Sequence, residues 1–259
     1  MHKKQLILAL LASFALSGAA QAALQGRDLN GSIDSFEAYY DTVLDITWLD
    51  GYYYNTNLSG TGYDTGSNDA DGKTTWTLAT AWAANLSIVD SVNNITYDNW
   101  RLPAADPVNG SSYVFNSSLN FTGNYDSGFN ITSPNNEMAH LFYVTLGNPG
   151  YKDTNGVLTG CYDASTSKCL DNTGPFKYLQ ADGYWAEPQL GVDGMGVPYV
   201  FQFYFQVGSQ ISNPGSMSMR ALAVSPGDIG IAAVPEADTW VMLLTGLGLV
   251  GAVTRRRLG

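Results

Sequence analysis

Between residues 200 and 207 (VFQFYFQV) the side chains alternate in character, with Phe201, Phe203, Phe205 and Val207 on one face and Gln202, Tyr204 and Gln206 on the other. A period of two marks a strand, and this is the strongest strand pattern in the chain. Residues 41–49 (DTVLDITWL) set Val43, Asp45 and Thr47 against Leu44, Ile46 and Trp48 and predict another. Shorter strands are predicted at residues 175–180, 183–187 and 220–224. A longer period appears at residues 76–87 (WTLATAWAANLS), where Leu78, Trp82 and Leu86 recur every fourth position and Ala79 and Ala83 widen the stripe. That predicts a helix, with Thr74 or Thr75 as its cap. A second helix is predicted at residues 136–146 (NEMAHLFYVTL), placing Met138, Leu141, Phe142 and Thr145 on one face and stopping at Gly147.

Between these elements lie long polar stretches at residues 51–73, 104–134 and 147–175, with no internal repeat or coiled coil. Two early helices, several late strands and long loops predict an α+β fold with antiparallel strands.

Both ends carry a different pattern. His2, Lys3 and Lys4 precede an apolar run from Leu6 to Leu16, followed by Ala20-Gln21-Ala22. That order is a secretory signal, with cleavage after Ala22. At the other end Pro235 and Glu236 precede an apolar run from Trp240 to Val253 and then Arg255, Arg256 and Arg257. Fourteen helical residues span about 21 Å, short of the ~30 Å hydrocarbon core. The glycines at 246, 248 and 251 weaken such a helix further. The run therefore suits a transient membrane stop, with the arginines on the cytoplasmic side. The chain divides into a signal peptide at 1–22, a body at 23–233 and a C-terminal signal at 234–259.

Charge narrows the function. The chain carries 12 basic and 23 acidic residues, a net charge of −11. Without the two ends the body keeps 7 basic and 21 acidic residues, a net of −14. Such a body lacks the Lys/Arg footprint of a nucleic-acid binder. A single histidine, His140, remains in it, which disfavours His-based catalysis or a multi-His metal site.

The C-terminal pattern resembles the PEP-CTERM sorting signal, although Ala237 stands where that family usually has a second proline. The resemblance implies an exosortase-type membrane protease and the secretion machinery as partners, and a Gram-negative host that makes extracellular polysaccharide. The body resembles the Lcl C-terminal-like domain family in its ordered motifs: Thr47-Trp48, Asp71-Gly72-Lys73-Thr74-Thr75-Trp76, Trp100-Arg101-Leu102-Pro103, Tyr184-Trp185 and Ala221-Leu222-Ala223-Val224-Ser225-Pro226-Gly227-Asp228. Leu222 and Ser225 replace the family's common Trp and Arg. That resemblance implies a C-type-lectin-like fold and, for some members, polysaccharide binding.

Candidate chemistry is sparse. Cys161 and Cys169 lie in one loop of an exported chain, so a disulfide is expected. Asp69 and Asp71, two apart and followed by Gly72, are candidate calcium ligands, against a solvated Asp-Gly turn. Tyr184, Trp185 and Glu187 combine rings with a carboxylate and are the candidate glycan-contacting edge, against a core role for Trp185. Tyr52, Tyr53 and Tyr54 form a second candidate surface. Glu137 is either a dipole-favoured helix start or, with Glu187, one half of a glycosidase pair. Trp100 is expected in the core, and Arg101 on a carboxylate or backbone carbonyl. The reading is a non-enzymatic, exported cell-surface or matrix protein associated with extracellular polysaccharide. The alternatives are a passive structural matrix component, a glycoside hydrolase or a cysteine/metal oxidase.

Overall fold

The computed structural model describes residues 24–32, 36–50, 72–162 and 168–232. In chain order its elements are β1 (Leu24–Asp28), β2 (Ala38–Asp41), β3 (Ile46–Leu49), α1 (Trp76–Ala84), β4 (Ile88–Asp90), β5 (Ile95–Tyr97), β6 (Gly128–Phe129) and α2 (Glu137–His140). A π-helical turn (Leu141–Thr145) follows, then β7 (Gly183–Val192), β8 (Pro198–Tyr204), β9 (Ser209–Pro214), β10 (Val224–Pro226) and β11 (Ile231–Ala232).

The strands form three antiparallel sheets: five strands in the order β10-β3-β2-β1-β11, four in the order β6-β9-β8-β7, and the β4-β5 pair. This corrects the expected α+β, C-type-lectin-like architecture. The described residues are β-rich, and the helices are short. The first predicted helix ends at Ala84, where Asn85 turns its backbone N–H and side-chain amide onto the Ala81 carbonyl. The second holds one α turn before widening into the π turn. Asn136 makes no capping bond because its side chain is engaged elsewhere, donating to the Asp106 carbonyl and accepting from Gln210.

Other elements shift for local reasons. Residues 41–49 are a hairpin corner rather than one strand. The Asp41 carboxylate accepts from the Val43 and Leu44 N–H groups, and Asp45 takes a left-handed φ of 52°, so the chain reverses between β2 and β3. Residues 175–180 form turns, not a strand.

The middle of each larger sheet (β3, the first four residues of β7 and residues 200–203 of β8) is buried on two faces, and two hydrophobic clusters result. One holds Trp48, Phe142, Tyr184, Phe201, Phe203 and Phe205. The other holds Leu49, Ala79, Trp82, Trp100, Leu102, Trp185 and Val200. The Ala-x-Ala-Val motif alternates between them: Ala221 and Ala223 face the second, Leu222 and Val224 the first. This motif also ties the sheets together. Arg220 bridges to Tyr184 in β7, and Val224 pairs with Trp48 in β3.

Candidate functional site

The Trp-Arg-Leu-Pro segment runs along three partners. Arg101 pairs with Val224, Ala104 bridges in parallel to Glu187, and Ala105 pairs with Asn136 at the start of α2. Opposite it, β7 is irregular. Trp185 faces Gln202 and Gln189 faces Val200, so three residues of β7, Ala186, Glu187 and Pro188, lie opposite Phe201 alone. The surplus bulges out of the ladder around Glu187 and Pro188, which is how a sheet re-aims a side chain. The bulge docks on the motif through Glu187 N–H to the Pro103 carbonyl (2.9 Å) and Ala105 N–H to the Glu187 carbonyl (2.6 Å).

These segments wall an open cleft of about 480 Å³. Trp76 and Thr80 of α1 form one side, Arg101, Ala104 and Asp106 another, and Glu137, Glu187, Pro188 and Gln189 the rest. Trp76 is fixed by its indole N–H, which donates to the Ala186 carbonyl at 2.9 Å. Arg101 grips Glu137 with both terminal nitrogens, at 2.8 and 2.7 Å, and the Ala104 N–H adds a third bond to that carboxylate at 2.7 Å. The guanidinium also donates to the Leu102 carbonyl. Its hydrogen bonds to Glu137 push its pKa up against the effect of burial.

Glu187 is treated differently. Its side chain is 27% exposed and its nearest cation, Arg101 Nε, is 3.9 Å away, beyond hydrogen-bond distance. The Glu187 carboxylate accepts no hydrogen bond among the described residues, and neither does that of Asp106. Burial raises the Glu187 pKa, Arg101 opposes this, and Glu137 and Asp106 reinforce it. A poorly solvated carboxylate without donors costs stability, and such groups gather at binding and reaction sites.

The expected glycan edge divides. Tyr184 is 2% exposed and Trp185 0%. Their rings lie in opposite clusters, and the Trp185 indole N–H donates to the Thr74 carbonyl. Neither ring has a face for a ligand, because neighbours in β7 point to opposite sides and both sides are core. Glu187 alone reaches the cleft, and the aromatic wall there is Trp76. Sequence reading missed Trp76, Asp106 and Gln189 as site residues. They come from three separate segments, and no local spacing links them. Glu137 and Glu187, which sequence reading paired, do share the cleft.

The remaining candidates fall elsewhere. Cys161 and Cys169 form a disulfide. Trp100 is buried, and its indole N–H donates to the Tyr97 carbonyl. His140 is buried with Nδ1 unpartnered among the described residues, and burial lowers its pKa against the pull of Asp41. Ser225 is fully buried and donates to Asn99 Oδ1. Ala22, Tyr52, Tyr53, Tyr54, Asp69, Asp71, Pro235, Glu236, Arg255, Arg256 and Arg257 lie outside the described residues. Among the described residues no helix is long and apolar enough to cross a membrane, and no group of three or more His, Cys, Asp or Glu could hold a metal ion.

Comparison of the chain with protein-family models, with curated proteins and with solved structures gives no match.

Proposed function

We propose that this is an exported protein of the cell surface or extracellular matrix that holds polysaccharide in the Trp76–Glu187 cleft. In this reading the N-terminal signal directs export. The C-terminal segment inserts transiently in the inner membrane and is processed by an exosortase-type protease. The observation that carries the binding role is the Glu187 carboxylate, largely buried and without a hydrogen-bond donor, beside a fixed indole. Sugars present apolar ring faces for an indole and hydroxyl donors for a carboxylate. The cleft volume falls in the range of small-ligand sites, ~300–1,000 Å³.

The test is binding of the full chain to its host's own extracellular polysaccharide. Saturable binding weakened at least about tenfold by Glu187→Ala or Trp76→Ala is expected. Binding unchanged in both variants overturns the assignment to this cleft. No binding by the unaltered chain favours a passive matrix component.

One observation supports a second reading, a glycoside hydrolase: Glu137 and Glu187 line the same cleft. Against it, both Glu137 oxygens already accept bonds from Arg101, and one also from Ala104 N–H. Those three bonds commit the Glu137 carboxylate to holding Arg101 and Ala104 rather than a substrate proton. Release of new reducing ends, lost in Glu187→Gln, would establish hydrolysis.

A further inference from the structure

The charges around the cleft are unbalanced. Glu137, Glu187 and Asp106 face a single guanidinium, that of Arg101. Arg101 spends its terminal nitrogens on Glu137 and on the Leu102 carbonyl. It therefore has little left to offer a ligand anion. Two carboxylates, Glu187 and Asp106, remain without hydrogen-bond donors among the described residues, and one of them is mostly buried. Asp106, exposed at the rim, disfavours the ionised form of Glu187. A ligand cation between the two would relieve Glu187.

The kind of cation follows from the walls. No cluster of ligands among the described residues suits a metal ion. Carboxylates beside an indole do suit an ammonium group, which gains both ion pairing and attraction to the ring. Gln189, whose amide nitrogen donates to the Gly191 carbonyl, keeps its amide oxygen, and Thr80, whose hydroxyl donates to the Trp76 carbonyl, keeps its oxygen lone pairs; both line the cleft as acceptors for the hydroxyls of a sugar ring.

Resting on the polysaccharide-binding reading above, we propose that the sugar taken by this cleft is an amino sugar with a free amine, its ammonium between Glu187 and Asp106 and its ring against Trp76. A uronic acid is excluded by the same charges. The chain's net charge of −11 acts in the same direction at long range, drawing a polycation and repelling a polyanion.

The test is titration of the full chain with three oligosaccharides of equal length: glucosamine, N-acetylglucosamine and galacturonic acid. A polylysine arm and a second carboxylate variant, Asp98→Asn, complete it; Asp98 is exposed and lies outside the cleft. The free-amine oligomer should bind about tenfold or more tightly than its N-acetylated form. Its binding should weaken with salt. Glu187→Gln should remove most of that preference and Asp98→Asn little of it. Equal binding of the free and acetylated oligomers overturns the amine inference but leaves the glycan cleft standing. Failure of every oligomer overturns both. A loss in Asp98→Asn as large as that in Glu187→Gln shows a diffuse charge effect and overturns the site. Polylysine binding as tightly as the amino sugar, with the same dependence on Glu187, overturns the sugar assignment in favour of a basic peptide.

Discussion

Arg101 donates two hydrogen bonds to Glu137 and none to Glu187, although both carboxylates line the same cleft. The two acids consequently have opposite tasks. Glu137 is a structural anion that orients Arg101 and anchors Ala104. Removing its partner leaves a buried charge, so Arg101→Ala should destabilise the protein by about 3 kcal/mol in urea or thermal melts. Adding Glu137→Gln should recover part of that loss, because the stranded charge disappears. Glu187 behaves in the opposite way. Its pKa is raised above the ordinary 4.5, chiefly by burial. The folded state therefore holds a proton that the unfolded state has lost in the interval between 4.5 and the raised value. Stability from this group is present below that interval and lost as pH rises through it. Glu187→Gln should accordingly melt about 1–3 °C higher than the unaltered protein at neutral pH. The difference should shrink as pH falls towards 4.5. A lower melting temperature at neutral pH would show that Glu187 is structural. At this scale Arg101 was readable from sequence, since a lone arginine beside a buried Trp must find a carboxylate or carbonyl. It found both. Tyr184 and Trp185 misled because a ring-rich strand buried on two sides looks, in sequence, like one with an exposed aromatic edge.

β8 is the element on which the cores depend. Phe201 and Phe203 enter one cluster and Val200 the other, all at 0% exposure. Phe203 meets the rings of Phe142 and Phe205 at 5.6 and 5.0 Å between centroids. Phe203→Ala should cost about 3–5 kcal/mol, measured by denaturant unfolding; a loss below 1 kcal/mol would show that the site collapses freely. The alternation was legible at residues 200–204 because it is strict and aromatic, but it runs on through Phe205, Gln206 and Val207, which form the turn into β9 rather than strand. The polar face of β8 was not so readily understood. Gln202 is fully buried and accepts from the Tyr204 hydroxyl and the Asn213 amide. The hairpin at residues 41–49 was hidden because its turn residues continue the strand alternation, and only Asp41 and Asp45 reverse the chain. The bulge that exposes Glu187 was illegible for a related reason. Register is a property of two strands, whereas the pattern in residues 183–187 describes one.

For the whole molecule, α+β was an overreach. Apolar stripes at residues 76–87 and 136–146 were genuine, but a stripe does not set helix length. Asn85 and the π turn shorten what the stripe implied. The polar segment at residues 104–134, read as a loop, supplies β6, and β9 forms at residues 209–214, where no element was predicted; neither strand has an apolar period of its own. The export and sorting reading belongs to this scale too and has its own check. Mass spectrometry of the protein from its native host should find a mature N-terminus at Ala23 and a C-terminus lacking Arg255, Arg256 and Arg257. An intact Met1 and intact arginines would contradict both signals. A glycan held between Trp76 and Glu187 can be located by hydrogen–deuterium exchange of the full chain with and without its host's polysaccharide. Added protection is expected at residues 76–80, 101–106 and 186–190 and nowhere else. Saturable binding with protection elsewhere, and none in these three segments, would contradict that placement.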